Sequence, residues 1–313
     1  DDTESMSKAF GIMDNQSALI SEWDLPTLKD LLQELDTGEL DMAITGFTSD
    51  ELENLMTQVH QGLTPDDEIP EEVETICKTG DLWQLANHRL LCGDATKRED
   101  AERLMGGEKA DMVFTDPPFG INVVGRDGSI GGGTKSIPVS RFKPIRGDET
   151  TPDIKFLLKL SNKVVIWGGN YLAHTLPLGG MWLVWDKVKN PNLSFSDCEL
   201  AWTNLSGVKV KKYTHRWDGY SRQGEVGSRL HPAQKSVLVL ADILSDYTKA
   251  KDIILDPFGG SGSTRIACEK LGRKCFMMEV ENFYTSIIIK RWMAYTGKEA
   301  FREDGRSWTE LEQ

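Results

Sequence analysis

The chain has 313 residues, of which 39% are hydrophobic and 27% charged, so it can bury a core in one large domain or two smaller ones. No apolar run approaches the roughly 20 residues that a membrane span requires, so we expect no membrane association. The acidic start Asp1–Glu4 is unlike a signal or transit peptide. Five scattered cysteines without a Cys-x-x-Cys pair argue against a disulfide framework and against a structural zinc site. A cytoplasmic protein is therefore expected.

The net charge of −13 would argue against a nucleic-acid partner, but the charge is unevenly distributed. Residues 1–75 hold 20 acidic and two basic side chains, a net of −18, whereas residues 76–313 carry a net of +5. Such asymmetry indicates that the larger part can meet a polyanion. A solvated acidic face on the front module explains the same numbers about equally well.

Residues 1–62 predict a small, acidic, helical module. Spacings of three and four residues mark one face of an amphipathic helix, and they separate Leu25, Leu28, Leu31, Leu32 and Leu35. A second helix is predicted over residues 49–59, with Ser49 as its N-cap. Residues 63–80 are predicted to be a linker, because two prolines and a dense acidic run follow Gly62 without any apolar period.

From residue 81 onward, short apolar runs alternate with helical patterns, which is typical of an α/β fold with a doubly wound, mostly parallel sheet. Apolar runs without polar alternation suit parallel strands that are buried on both faces. The predicted strands are Arg89–Cys92, Ala110–Thr115, Lys163–Trp167, Met181–Trp185, Cys198–Thr203, Asp252–Leu255 and Cys275–Glu279. The predicted helices are Lys97–Met105, Ile154–Leu160, Lys235–Ser245, Thr264–Leu271 and Tyr284–Tyr295. We therefore predict one α/β domain over residues 81–313.

Two basic stretches interrupt this alternation. Gly120–Gly147 is rich in glycine and is predicted to be a long mobile loop, a kind of segment that is often functional. Residues 205–230 interleave cations with aromatic side chains, which suits phosphate contact and base stacking. A basic surface hairpin is the alternative. The candidate DNA-binding residues are Lys209, Lys211, Lys212, Arg216, Arg222 and Arg229.

A glycine-rich turn, Asp256–Gly262, follows a predicted strand and precedes a predicted helix. Glycines allow a close approach of the backbone to a ligand, and a helix N-terminus presents free N–H groups. Glu279 lies 17 residues beyond Gly262, after the next strand, where an acid can accept both ribose hydroxyls of a nucleoside. The alternative is a tight turn that binds no ligand.

A second motif, Asp116–Phe119, follows the strand that ends at Thr115. Pro117 and Pro118 have no N–H, so this segment offers hydrogen-bond acceptors together with the Asp116 carboxylate. Such a cluster suits an exocyclic amino group, and Phe119 offers an apolar face for a base. A rigid loop with a capping aspartate is the alternative.

These two motifs resemble those of S-adenosylmethionine-dependent amino-methyltransferases. Asp-Pro-Pro-Phe at 116–119 is similar to the catalytic D-P-P-Y/F motif, and Asp-Pro-Phe-Gly-Gly-Ser-Gly at 256–262 is similar to the cofactor motif D-P-F-x-G-S-G. The catalytic motif comes first, as in the β group of DNA adenine-N6 and cytosine-N4 methyltransferases. Further matches are Leu91–Ala95, His231–Ser236 and Phe276–Tyr284, although Met277 and Asn282 depart from the usual Gly and Pro.

The resemblance implies a Rossmann-like methyltransferase with a bound S-adenosylmethionine and no metal. Implied catalytic residues are Asp116, Pro117, Pro118 and Phe119. Implied cofactor-binding residues are Asp94, His231, Lys235, Asp256, Phe258, Gly259, Gly260, Ser261, Gly262 and Glu279. Residues 14–24 resemble the end of a ParB-like domain, which phage and prophage methyltransferases often carry.

The implied activity is methylation of adenine N6 in double-stranded DNA, on a base flipped out of the helix. Cytosine-N4 methylation is the first alternative, although that group more often has Ser at the position of Asp116. Cytosine-C5 methylation is not expected, because no proline precedes a cysteine. A non-catalytic DNA-binding or partition-type protein is the second alternative. The sequence leaves the recognition site, a restriction partner and the choice between monomer and homodimer open.

Overall fold

The computed structural model describes residues 41–48, 62–70, 73–122, 124, 145–150, 153–188, 196–207, 209–217 and 234–312, together with eight single positions before residue 53. Over these ranges, no helix is both long and apolar enough to cross a membrane.

A sheet of ten strands forms the centre of the described part of the chain. The strands are β1 Leu82–Leu85, β2 His88–Cys92, β3 Met112–Thr115, β4 Val164–Trp167, β5 Met181–Asp186, β6 Cys198–Thr203, β7 Val210–Thr214, β8 Ile253–Asp256, β9 Lys274–Glu279 and β10 Phe301–Arg302. Their spatial order is β10-β1-β2-β9-β8-β3-β4-β6-β5-β7. Only β1 and β6 run antiparallel to both of their neighbours. The predicted α/β fold with a mostly parallel sheet is confirmed.

Helices cover both faces of this sheet. They are α1 Arg98–Met105, α2 Val237–Tyr247, α3 Ser263–Lys270, α4 Asn282–Thr296 and the short α5 Trp308–Leu311. Side chains of α2, α3 and α4 share one hydrophobic cluster with Phe114, whereas Leu104 of α1 shares a second cluster with Val113. Because neighbouring residues of β3 point to opposite faces, both faces must be covered, as the continuous apolar runs predicted.

The topology places two loops side by side at one edge of the sheet. From β3 the chain builds β4 to β7 on one side, then returns to β8, which pairs with β3 in parallel, and continues to β9 on the other side. Ligands of open α/β sheets bind at such a switch point, beyond the carboxyl ends of the strands. The loops after β3 and β8 begin at Asp116 and Pro257, so they start at this position.

Most predicted elements are present, with ends shifted by one or two residues. The prediction of a helix over Ile154–Leu160 is wrong. Only a 3₁₀ turn forms there, over Leu157–Lys159, and Ile154 and Leu157 are buried against the sheet. Three strands were missed. β1 and β10 are short, and β7 carries two lysines on the exposed edge of the sheet, so none of them has the apolar run of a central strand.

The front of the chain shows a separate cluster and a docked segment. Leu28, Leu32 and Leu35 are buried together, as their spacing predicted. Residues 62–70, expected to be part of a linker, contact the α/β domain, where Ile69 is buried and Leu63 donates its N–H to the Tyr295 carbonyl. The division at residues 62 and 80 stays a prediction.

Candidate functional site

One cavity of about 370 Å³ lies over the switch point of the sheet. Both motif loops line it, which brings Asp116 and the Asp256 turn to the same space. The predicted residues that line the cavity are Asp94, Asp116, Pro117, Pro118, Phe119, Lys235, Asp256, Phe258, Gly259, Gly260, Ser261 and Glu279. Gly262 lies just behind it as the residue before α3, and His231 falls outside the described residues.

Asp256 ties the glycine turn to the neighbouring strand. Its Oδ1 accepts hydrogen bonds from the Thr115 hydroxyl at 2.7 Å and from the Phe258 N–H at 3.2 Å. Burial raises the pKa of Asp256 to about 7, although these hydrogen bonds favour the charged form. The turn then reaches Gly262, whose φ of 82° lies in the left-handed region that glycine adopts without strain.

Glu279 closes the opposite side of the turn. Its two carboxylate oxygens accept the N–H of Gly260 at 2.8 Å and the N–H of Glu281 at 2.9 Å. Burial raises the pKa of Glu279 to about 7. Each oxygen accepts one backbone N–H in these contacts and has lone-pair capacity for a further donor, which is what a ribose diol requires.

Asp94 follows β2 on the same edge of the sheet. Its Oδ1 accepts the N–H and the hydroxyl of Thr96, at 3.0 and 2.7 Å, and its own N–H donates to Asp100 at 2.8 Å. Partial burial raises the pKa of Asp94, but the Thr96 hydrogen bonds outweigh this effect, so the pKa lies below its ordinary value. Asp94 is therefore a fixed, charged acceptor at one end of the cavity.

The Asp116 carboxylate has one satisfied and one unsatisfied oxygen. Lys235 donates to Oδ2 at 2.5 Å, whereas Oδ1 is buried and has no hydrogen-bond partner. Burial raises the pKa of Asp116 above its ordinary value despite the attraction of Lys235. A buried acceptor without a partner is costly, so this oxygen is disposed to accept a donor from a ligand.

Lys235 belongs to a chain of four alternating charges that the sequence did not predict. Its Nζ also lies 3.2 Å from Glu199, and Glu199 forms an ion pair with Lys187. Burial lowers the pKa of Lys235, but Asp116 and Glu199 raise it by more, so Lys235 stays protonated. Burial raises the pKa of Glu199, but the positive charges of Lys235 and Lys187 have the larger effect and lower it to about 2.

The aromatic side of the cavity is held by Asp148, another residue that was not predicted. Asp148 accepts the N–H groups of Phe119 and Gly120 at 3.0 and 2.9 Å, which fixes the start of the loop. The Phe119 ring stacks on Tyr171 with 5.1 Å between centroids and 17° between planes. At Gly168, where φ is 68°, an added Cβ would collide with the Phe119 ring.

The candidate DNA-binding residues fall partly inside the described ranges. β7 ends at the same edge of the sheet as the cavity, because it pairs in parallel with β5. Lys211 lies 2.7 Å from Asp246, and Lys212 lies 3.2 Å from Asp186, so acidic partners offset both charges. Lys209 and Arg216 flank β7, whereas Arg222 and Arg229 lie outside the described residues. Their role in DNA binding stays a prediction.

The cavity lies over the switch point of an open, mostly parallel sheet. Proteins with this arrangement form a class of α/β proteins that bind nucleotide-like ligands there. Residues 182–290 match the family model for DNA methylases, and residues 26–79 match the model for the ParB-methyltransferase HTH domain. These matches support a DNA methyltransferase of the N6/N4 type. The matched front domain extends to residue 79, past the predicted boundary at residue 62.

Two curated relatives are similar over more than half of this chain. Type II methyltransferase M2.LlaDCHI of Lactococcus lactis subsp. cremoris is 29% identical over 223 residues, which cover 59% of this chain and 82% of the relative. Type II methyltransferase M2.DpnII of Streptococcus pneumoniae is 27% identical over 226 residues, which cover 60% and 84%.

Solved structures of DNA methyltransferases are also similar. The M1.HpyAVI–SAM complex aligns with a TM-score of 0.39 and 20% identity, over 64% of this chain and 97% of that chain. The cytosine-N4-specific PvuII DNA methyltransferase aligns with a TM-score of 0.40 and 15% identity, over 64% and 85%.

Proposed function

We propose that this DNA methylase transfers a methyl group from S-adenosylmethionine to N6 of adenine. The observation that carries the proposal is the unpartnered Oδ1 of Asp116, which is buried at the cavity that the Asp256 turn also lines. An exocyclic amino group is the donor that such an acceptor binds best. The aspartate itself favours adenine, because the cytosine-N4 group more often has serine at this position.

The acceptor loop orients the amine. Asp116 Oδ1 accepts one N–H of the amino group, and the carbonyl of Pro117 accepts the other. Because Pro117 and Pro118 donate no hydrogen bond, the loop offers only acceptors to that amine. Holding both N–H bonds leaves the nitrogen lone pair directed at the methyl donor, and this positioning supplies most of the rate.

The residues on the other side of the cavity fit the methyl donor. Glu279 has lone-pair capacity for a ribose diol, Asp94 is a fixed acceptor for an adenine amino group, and Gly259 and Gly260 leave the backbone open to the ligand. S-adenosylmethionine, when bound, would supply the methyl group on a sulfonium, whose sulfur leaves as the thioether of S-adenosylhomocysteine while the amino nitrogen gives up one proton to solvent.

A base inside a duplex cannot enter this cavity, so the target adenine is extruded at a cost of a few kcal/mol. Residues 205–230 would read the DNA, whereas most of the predicted loop at 120–147 lies outside the described residues. A homodimer would extend the DNA contact, and sedimentation of the protein with and without DNA measures that assembly.

Product analysis tests the proposal. Unmodified DNA is incubated with methyl-labelled S-adenosylmethionine, digested to nucleosides and separated. We expect the label in N6-methyldeoxyadenosine, and a preparation with Asp116→Ala to show on the order of 10²- to 10³-fold less of it. Asp304→Asn, a matched change on the exposed turn after β10 and away from the cavity, should retain the activity of the wild type. Label in N4-methyldeoxycytidine would show that the target base is cytosine, and no label in DNA despite saturable cofactor binding would reject the proposal.

A further inference from the structure

Asp66 and Asp67, in the region that matches the HTH model, contact residues that line or adjoin the cavity. Asp66 forms an ion pair with Lys270 at 2.6 Å, and both side chains are largely buried. Arg291 donates from one terminal nitrogen to the Asp66 carbonyl at 2.8 Å and from the other to the Ser261 carbonyl at 2.8 Å. Because Ser261 belongs to the glycine turn, Arg291 joins this segment to the cofactor side of the cavity.

The next residue, Asp67, holds the acceptor side. Only 4% of Asp67 is exposed, and its Oδ1 accepts the N–H of Val237, the first residue of α2, at 2.9 Å. Its carbonyl accepts the side-chain amide of Gln234 at 2.8 Å, and its Oδ2 lies 3.4 Å from the Ser236 hydroxyl. Ser236, the N-cap of α2, makes no side-chain cap bond, so Asp67 performs that function from 170 positions away in the chain.

Lys235 lies between the residues that Asp67 binds. We propose that Asp67 is a positioning residue that fixes the backbone around Lys235 and thereby holds the ammonium of Lys235 against Asp116. This inference rests on the proposed function for its kinetic consequence, but the contact that it describes can be measured without any methyl transfer. Asp67 lies in the region that matches the ParB-methyltransferase HTH model, so the C-terminal part of that matched region contributes to the geometry of the site.

The ionisation of Asp116 reports this contact. The charged groups that face Asp116 are Lys235, Glu199 and Lys187, and Asp256 ends the neighbouring strand β8 and lines the same cavity. Lys235 favours the carboxylate form of Asp116. If the backbone around Lys235 is released, the ammonium moves away on average and the pKa of Asp116 rises.

Carbon-13 NMR of the full chain measures the pKa of the Asp116 carboxyl. The signal that disappears in Asp116→Asn assigns it. We expect Asp67→Ala to raise that pKa and to lower kcat on the order of 10- to 100-fold, with little change in KM for S-adenosylmethionine. Asp67→Asn keeps an acceptor oxygen for the Val237 N–H, so the same two effects should be smaller. Ser307→Ala is the matched control, because it removes the cap of α5 away from the cavity.

A double-variant cycle separates positioning from general destabilisation. If Asp67 acts through Lys235, adding Asp67→Ala to Lys235→Met should cause no further loss of kcat. An unchanged Asp116 pKa in folded Asp67→Ala and Asp67→Asn would overturn the inference, as would losses of kcat that add fully. A wild-type protein that transfers no methyl group would reject the proposed function, while the NMR titration would still decide the role of Asp67.

Discussion

The two sides of the cavity are held by different kinds of bond. On the cofactor side, backbone N–H groups satisfy Glu279, whereas Asp256 accepts both the Phe258 N–H and the Thr115 hydroxyl. On the acceptor side, a flexible lysine satisfies one oxygen of Asp116 and leaves the other without a partner. Backbone donors are fixed by the fold before a ligand binds, whereas a side-chain donor such as the Lys235 ammonium can change its position.

Removal of the lysine should have the largest effect. Lys235→Met leaves Asp116 and Glu199 buried without their shared cation, which typically costs about 3–5 kcal/mol of stability. The pKa of Asp116 should rise further, so methylation should fall on the order of 100-fold at neutral pH and recover in part as the pH is raised. Lys187→Met is the control, because Lys187 pairs with Glu199 and leaves Asp116 with Lys235. An unshifted pH profile in Lys235→Met would contradict the account.

Loss of the Glu279 charge should act on the cofactor alone. Glu279→Gln removes charge-assisted hydrogen bonds that contribute about 1.5–3 kcal/mol, so the affinity for S-adenosylhomocysteine should fall on the order of 10- to 100-fold. Titration calorimetry measures this loss. The rate at saturating cofactor should stay near that of the wild type. A loss of kcat with unchanged cofactor affinity would show that Glu279 acts on the acceptor base instead.

Cofactor affinity should increase with pH around neutrality. The raised pKa of Glu279, about 7, means that the free site holds a proton below that pH. Hydroxyl donors favour the ionised carboxylate, so binding releases the proton, and affinity should drop by up to about tenfold for each pH unit below 7. Glu279→Gln should flatten this dependence. Affinity that rises as the pH falls would show the opposite sign and contradict the prediction.

A methyl group at position 168 should cause a smaller, local change. Gly168 has a positive φ and faces the Phe119 ring, so Gly168→Ala should cost about 1–3 kcal/mol of stability through strain and displacement of the ring. Thermal unfolding measures the cost. We expect weaker DNA methylation with unchanged cofactor affinity. Gly179→Ala is the control, since it also has a positive φ but an added Cβ there meets no atom within 4 Å.

The sequence predicted the parts of the site that depend on local structure. Asp116 follows a buried strand, whereas Asp256 and Glu279 are the last residues of theirs, and parallel strands bring their carboxyl ends to one edge. That rule needs only the order of the elements. For the same reason the glycine turn and the acceptor loop were predicted together, although they are more than 100 residues apart.

The residues that were missed are positioned by tertiary contacts. Glu199 begins an antiparallel strand, so it reaches the same edge from the opposite direction, and an isolated acid at a strand start carries no local signal. Asp148 and Asp67 accept backbone N–H groups about 28 and 170 positions away. The acidic run around Asp67 indicated a solvated linker, because its buried partners cannot be inferred from spacing.

The central claim is that one cavity holds a methyl donor on one loop and an acceptor amine on the other. Measuring Asp116→Ala in two assays tests it most directly, with titration of S-adenosylhomocysteine beside transfer of labelled methyl groups to unmodified DNA. We expect cofactor affinity within about twofold of the wild type and methyl transfer reduced by at least about 10²- to 10³-fold. Methylation at the wild-type rate, or cofactor binding lost together with transfer, would contradict the account.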